Sequence, residues 1–191
     1  SMAGHAIADV LFGDYNPSGK LPVSFPYTVG QEPLYYNHKN TGRPTGDGNS
    51  PFWSHYTDAP NSALYPFGYG LSYSEFFYSE IELSDPELSM DGELEVSVRV
   101  KNTGDRTGTE VVQLYIRDLV GTVTRPVIEL KGFQRVELNP GQSKDVTFTL
   151  TAEDLAFYNR ADEWTAEPGA FKVFVGTNSR DVREADFTLI K

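Results

Sequence analysis

Cysteine is absent from the 191 residues, which excludes disulfides, thiolate metal sites and a cysteine nucleophile. Histidine is scarce. His5, His38 and His55 lie far apart, and none forms the His-x-x-x-His type of pair that presets a metal geometry, so no metal or other cofactor is expected. Basic residues are outnumbered, 16 Lys and Arg against 27 Asp and Glu for a net charge of −11, and they are scattered, leaving no footprint for a phosphate backbone. Long apolar runs are missing too, for nothing approaches the roughly twenty residues of a membrane span. Neither nucleic acid nor a membrane is therefore an expected partner.

What the chain does have is strand alternation in its second half. "ELEVSVRV" sends Leu94, Val96, Val98 and Val100 to one side and polar groups to the other, the period-two signature of a half-buried strand. "VVQLYIRD", "DVTFTL", "AFKVFVG" and "ADFTLI" repeat it. Asn139-Pro140-Gly141 and Glu167-Pro168-Gly169 place Pro before Gly as a type II turn requires, and Asp91-Gly92 adds a further break. About seven short strands at this spacing predict a two-sheet β-sandwich over 74–191. Without a Cys-Trp-Cys pattern it is not of the antibody type.

The first 26 residues read differently. Ser1-Met2 has the look of a processed tag. Ala3, Ala6, Ile7, Val10 and Leu11 follow at helical spacing, with Gly13 placed to end the helix. Leu21 to Phe25, bracketed by Pro22 and Pro26, predicts an edge strand. One helix and one strand cannot enclose a core, so residues 1–26 are expected to be the remnant of an α/β sandwich whose larger part precedes them. Residues 27–73 keep no period and are rich in Pro, Gly, Asn and aromatics, which predicts an extended but ordered connecting arm. "TGDGNS", Thr45 to Ser50, is its expected mobile tip. "LYPFGYGLSYSEFFY", Leu64 to Tyr78, is the most aromatic stretch of all.

Taken in order, "AIADVLFGDYNPSGKLPVSFP", "YYNHKNTGRP", "LYPFGYGLSY", "VVQLYIRD", "RPVIELKGFQRVELNPGQSKDVTFTL" and "AEPGAFKVFVGT" resemble the C-terminal third of family 3 glycoside hydrolases, bacterial β-glucosidases in particular. The resemblance implies a retaining hydrolase of terminal β-linked glucose, with a barrel, an α/β sandwich and a C-terminal fibronectin type III-like domain. It implies a β-glucoside or oligosaccharide as substrate, the upstream domains as partners, and a periplasmic or secreted location. It also implies that the nucleophilic aspartate and the acid/base glutamate precede Ser1, leaving this chain no catalytic residue and no activity alone. A retaining mechanism needs two carboxyls about 5–5.5 Å apart, and Glu80, Glu82, Glu93 and Glu95 fall on the expected solvent side of strands.

Two readings of the arm stay open. Sugars stack their C–H faces on aromatic rings, so Tyr35, Tyr36, Trp53 and Tyr56 are candidates to shape a substrate subsite, with Asn37, His38 and Arg43 hydrogen-bonding hydroxyls. The same rings equally suit the seam between two domains. A carbohydrate-binding module and a protein-interaction module are the alternative functions. The apolar face of the N-terminal helix is expected to fold back, fray, or pair with a second copy as a homodimer.

Overall fold

The computed structural model describes residues 2–41 and 54–191. Helix α1 (Ala3–Phe12) ends where Gly13 takes a φ of 83° and returns its N–H to the Val10 carbonyl, the left-handed cap that glycine adopts without strain. No residue of this helix is buried, and Leu11 and Phe12 are 70% and 84% exposed. A single 3-10 turn (Val29–Gln31) follows.

The strands are β1 (Phe76–Tyr78), β2 (Glu82–Leu83), β3 (Glu87–Ser89), β4 (Glu93–Asn102), β5 (Gly108–Asp118), β6 (Glu129–Leu138), β7 (Ser143–Thr151), β8 (Phe157–Tyr158), β9 (Trp164–Thr165), β10 (Gly169–Gly176) and β11 (Val182–Ile190), with a short helix α2 (Ala152–Leu155) before β8. In one sheet β4 pairs antiparallel with β7 on one edge and with β1 and β2 on the other. The second sheet runs β3-β11-β10-β5-β6, with β3 parallel to β11 and the other pairs antiparallel. The alternation expected from the sequence is realised: Leu94, Val96, Val98 and Val100, with Val146 and Leu150 beside them in the same sheet, share one core with Val112, Leu114, Ile116, Phe171, Val173, Phe187 and Leu189 of the second sheet. Burial on this scale is the main stabilising term of the sandwich. The Asn139-Pro140-Gly141 turn closes as predicted, Gly141 taking a φ of 75° while Gln142 N–H donates to the Asn139 carbonyl. Gly169 differs from expectation: its φ is not positive, and Pro168 instead feeds the chain straight into β10.

The arm lies against the outer face of the five-stranded sheet. There Tyr115 and Phe174, on the side of their strands that alternation assigns to solvent, are buried with Ile128 beneath Tyr36 and Phe67. Gln113 completes the attachment. Its amide donates to the carbonyls of Gly68 (3.1 Å) and Thr177 (2.7 Å), and its carbonyl accepts from the Tyr115 hydroxyl. Two further bonds come from the β10–β11 loop, Ser179 N–H to the Phe67 carbonyl and the Arg180 guanidinium to the Ala63 carbonyl.

The expected strand Leu21 to Phe25 is an extended segment with one β-bridge, Phe25 to Tyr65. Pro22 and Pro26 have no N–H to give a longer ladder. It is nevertheless fastened along 64–69, by Leu21 N–H to the Tyr69 carbonyl, Gly68 N–H to the Leu21 carbonyl, and Phe25 N–H to the Tyr65 carbonyl, each 2.8 Å. So close an approach needs glycine. A Cβ on Gly70 would run into the Gly19 carbonyl oxygen, so Gly70→Ala is expected to push the two segments apart and cost about 2 kcal/mol, read as a lower denaturation midpoint with faster amide exchange at Leu21 and Phe25.

Candidate functional site

The arm folds into a cleft of about 450 Å³ walled by Tyr35, His38, Lys39, His55, Tyr56 and Asn61. Its scaffold is Gln31, which is fully buried: its Oε1 accepts the N–H groups of Tyr27 and Thr28, and its amide donates to the Pro60 carbonyl at 2.6 Å. On the far wall Asn61 takes the Tyr56 N–H (3.0 Å) and donates to the Ser54 carbonyl (2.8 Å), while the Tyr56 hydroxyl reaches back to the Gln31 carbonyl. Both walls therefore hang on side-chain amides, which are buried or half-buried and paired as such groups must be.

Of the residues singled out in the sequence, Tyr35, His38 and Tyr56 meet in this cleft. Tyr35 is 65% exposed, its ring presented to solvent. Tyr36 turns the other way. Its ring stacks on Phe67 with centroids 4.1 Å apart, meets the edge of Tyr115, and its phenol oxygen accepts the Leu130 N–H at 3.3 Å. Asn37, the next residue, is exposed and outside the cleft lining. Arg43 and Trp53, with the Thr45 to Ser50 tip, lie outside the described residues. Gln31, Lys39, His55 and Asn61 were not among the predicted site residues. An isolated Gln and an Asn in a turn carry no spacing signal, and only the fold shows that they close the walls.

The sandwich backs the turn that carries Tyr35 and His38. Val127 N–H donates to the His38 carbonyl at 2.9 Å, and Lys39 bridges to Pro126. The backing loop is itself anchored by Arg125, whose guanidinium lies 4.0 Å above the Phe157 ring and 3.6 Å from the Asp118 carboxylate. Burial lifts the Asp118 carboxyl above its ordinary range, more than the Val120 N–H and Arg125 hold it down, and Glu167 adds to the rise. The folded state thus binds this proton at higher pH than the unfolded chain. Its contribution favours folding at and below about pH 4 and is lost as pH rises through the raised value. Asp118→Asn is expected to remove this component, so that the variant gains on the wild type as pH increases over that window, checked by thermal midpoints at stepped pH.

Among the described residues no set of three His, Asp or Glu could hold a metal ion. Glu80, Glu82, Glu93 and Glu95 are exposed on the polar side of the sandwich. Glu110 is buried, but it is committed to Lys20 and Tyr78.

Residues 1–73 match the glycosyl hydrolase family 3 C-terminal domain, and residues 110–179 match a fibronectin type III-like domain. The chain belongs to the C-terminal region of the family 3 glycoside hydrolases. It is 50% identical over 188 residues to the periplasmic β-glucosidase of Salmonella typhimurium, covering 98% of this chain and 25% of that protein. A putative β-xylosidase of Formosa agariphila is 46% identical over 184 residues, 96% of this chain and 23% of its own length. Among solved structures, a β-glucosidase from Listeria innocua in complex with glucose superposes with a TM-score of 0.94 at 48% identity, covering 99% of this chain and 26% of that one. This family 3 chain thus spans about a quarter of the length of the relatives it matches.

Proposed function

We propose that this chain is the structural and substrate-shaping C-terminal portion of a retaining β-glucosidase that releases terminal β-linked glucose from oligosaccharides or glucosides. One observation carries the reading: the likeness to named β-glucosidases covers 98–99% of this chain but only 25–26% of each relative. The catalytic carboxyl pair that a retaining mechanism needs, about 5–5.5 Å apart, then belongs to upstream domains. The same reading divides the chain into an α/β remnant (1–26), an arm (27–73) and the sandwich (74–191). It makes the exposed apolar side chains of α1, with Val23 and Leu71, the ground on which those upstream domains pack rather than a homodimer contact. In the arm cleft, Tyr35 and Tyr56 offer ring faces to a sugar and His38 a hydrogen-bonding edge, while Tyr36 holds the turn on the sandwich; Asn37, Arg43 and Trp53 are the remaining candidates to bind the same substrate. The name of the Salmonella relative supports a periplasmic or secreted location.

A β-xylosidase is the second reading, since chains of that name are similar at 46% and 41% identity. One assay separates them. The full-length enzyme is expected to turn over an aryl β-glucoside in preference to the β-xyloside, and this chain alone neither. Sustained turnover by the isolated chain would place the catalytic carboxyls here and sink the proposal.

A further inference from the structure

The sandwich carries a second place where large rings are held rigidly against water. Strands β8 and β9 form a minimal hairpin, pairing Tyr158 with Trp164. Its turn is locked by Asn159, whose side-chain Oδ1 accepts the N–H groups of Ala161 and Glu163 while its backbone N–H donates to the Glu163 carbonyl. Asp162 completes the turn at a φ of 63°, a left-handed position that Asp tolerates better than most residues. The two rings lie side by side, centroids 5.2 Å apart and tilted by 60°, with Trp164 52% and Tyr158 64% exposed. The indole is fixed, because its Nε1–H donates to Glu153 at 2.9 Å.

Beside Trp164 opens a cleft of about 400 Å³. Its lining is small: Gly92, Ala152, Ala156 and Ala166 leave the room, and Asp91 and Glu93 add carboxylates. Nothing in the arm cleft or in the packing of the sandwich core uses these rings. A rigid indole face next to an open trough with carboxylate acceptors has the chemistry of a site for a neutral, hydroxyl-rich ring, whose C–H face covers the indole while its hydroxyls donate to the acids. A cation resting on one exposed ring would gain only about 0.5–1 kcal/mol. The trough has no second ring face to enclose it.

We infer that Trp164, with Tyr158 and the trough of Asp91 and Glu93, is a β-glucan-binding site separate from the arm cleft, holding a chain segment of the saccharide on the sandwich. The ligand class rests on the β-glucosidase reading. The site itself does not, and the test keeps the two apart.

Trp53 and Trp164 are the only tryptophans, so the indole N–H region of a proton–nitrogen NMR spectrum holds two side-chain signals, assigned by Trp164→Phe. Titrating the isolated chain with cellotetraose or laminaritetraose is expected to move the Trp164 signal with a millimolar dissociation constant. Tyr158→Ala is expected to weaken binding about threefold, read on the Trp164 signal, and Trp164→Ala about tenfold or more, read on the backbone amide signals of Gly92 and Ala166 in the trough, with unchanged amide dispersion elsewhere showing that both variants fold. Movement with xylotetraose alone would support the site and overturn the glucosidase reading. No movement with any of the three, movement unaffected by Trp164→Ala, or movement abolished by half-molar salt would overturn the site even if the full-length enzyme hydrolyses glucosides.

Discussion

Glu110→Ala is expected to destabilise the chain by about 3–5 kcal/mol, the cost of stranding one member of a buried ion pair. Glu110 sits on β5 at 3% exposure, and its Oε1 receives both the Lys20 ammonium (3.2 Å) and the Tyr78 hydroxyl (3.0 Å). Lys20 also donates to Thr177 at 2.8 Å. One carboxylate therefore joins the N-terminal segment, the first sandwich strand and the end of β10. Burial, and then the Glu110 charge beside it, raise the Tyr78 phenol far above its ordinary range, so Tyr78 remains a donor at every working pH. Alanine would leave the ammonium with one neutral acceptor and the phenol with none. Chemical denaturation reads the loss directly. By heat it amounts to roughly 2–4 °C per kcal/mol for a chain of this size. Because a charge pair in a dry place is worth little net against an apolar replacement, the double variant Lys20→Met, Glu110→Leu is expected to recover most of the stability. A single variant within about 1 kcal/mol of wild type would show that water reaches Lys20 and that this contact does not hold the segment down.

This joint also marks where the sequence stops being readable. Strands β4, β7 and β11 have one face on the core and the other in water, so their alternation is explicit in the residues. β5 breaks the pattern at Gln113 and Tyr115, because the arm, some fifty to eighty residues earlier, covers the face that alternation leaves to solvent. β6 hides better still. In "ELKGFQRVEL" only Val136 and Leu138 are buried, and the register slips opposite Leu114 and Tyr115, so no sustained period survives to announce a strand. The packing of "LYPFGYG" was foreseeable in kind, since Pro and Gly set a close-lying path. Its partners were not: Phe67 lies on Tyr36 and beside Tyr115, both distant in the chain. The arm cleft has the same character. Tyr35 and Tyr36 are identical neighbours, and nothing local decides which ring meets solvent and which meets the sandwich.

That difference can be measured. Tyr36→Ala removes a ring stacked on Phe67 and the oxygen that accepts the Leu130 N–H. A half-buried aromatic is expected to cost somewhat less than the 3–5 kcal/mol of a fully buried one, about 3 kcal/mol here. Tyr35→Ala removes an exposed ring and should change stability by less than about 0.5 kcal/mol. If the turn between them meets substrate, both variants raise KM in the full-length enzyme, for different reasons. Tyr35 would contribute its own face, whereas Tyr36 is a positioning residue. Without it the turn is left to the backbone contacts of His38 and Lys39 with 126–127, and KM is expected to rise about tenfold with kcat little changed, the pattern of lost uniform binding. Tyr36→Phe separates the two contributions of that side chain. It keeps the stack, leaves the Leu130 N–H without its phenol acceptor at about 1 kcal/mol, and should restore most of KM if ring packing rather than the hydroxyl sets the turn. The decisive combination is a Tyr36→Ala enzyme that unfolds earlier yet binds substrate as well as wild type. In that case the arm is a fastening, and the sugar is met elsewhere.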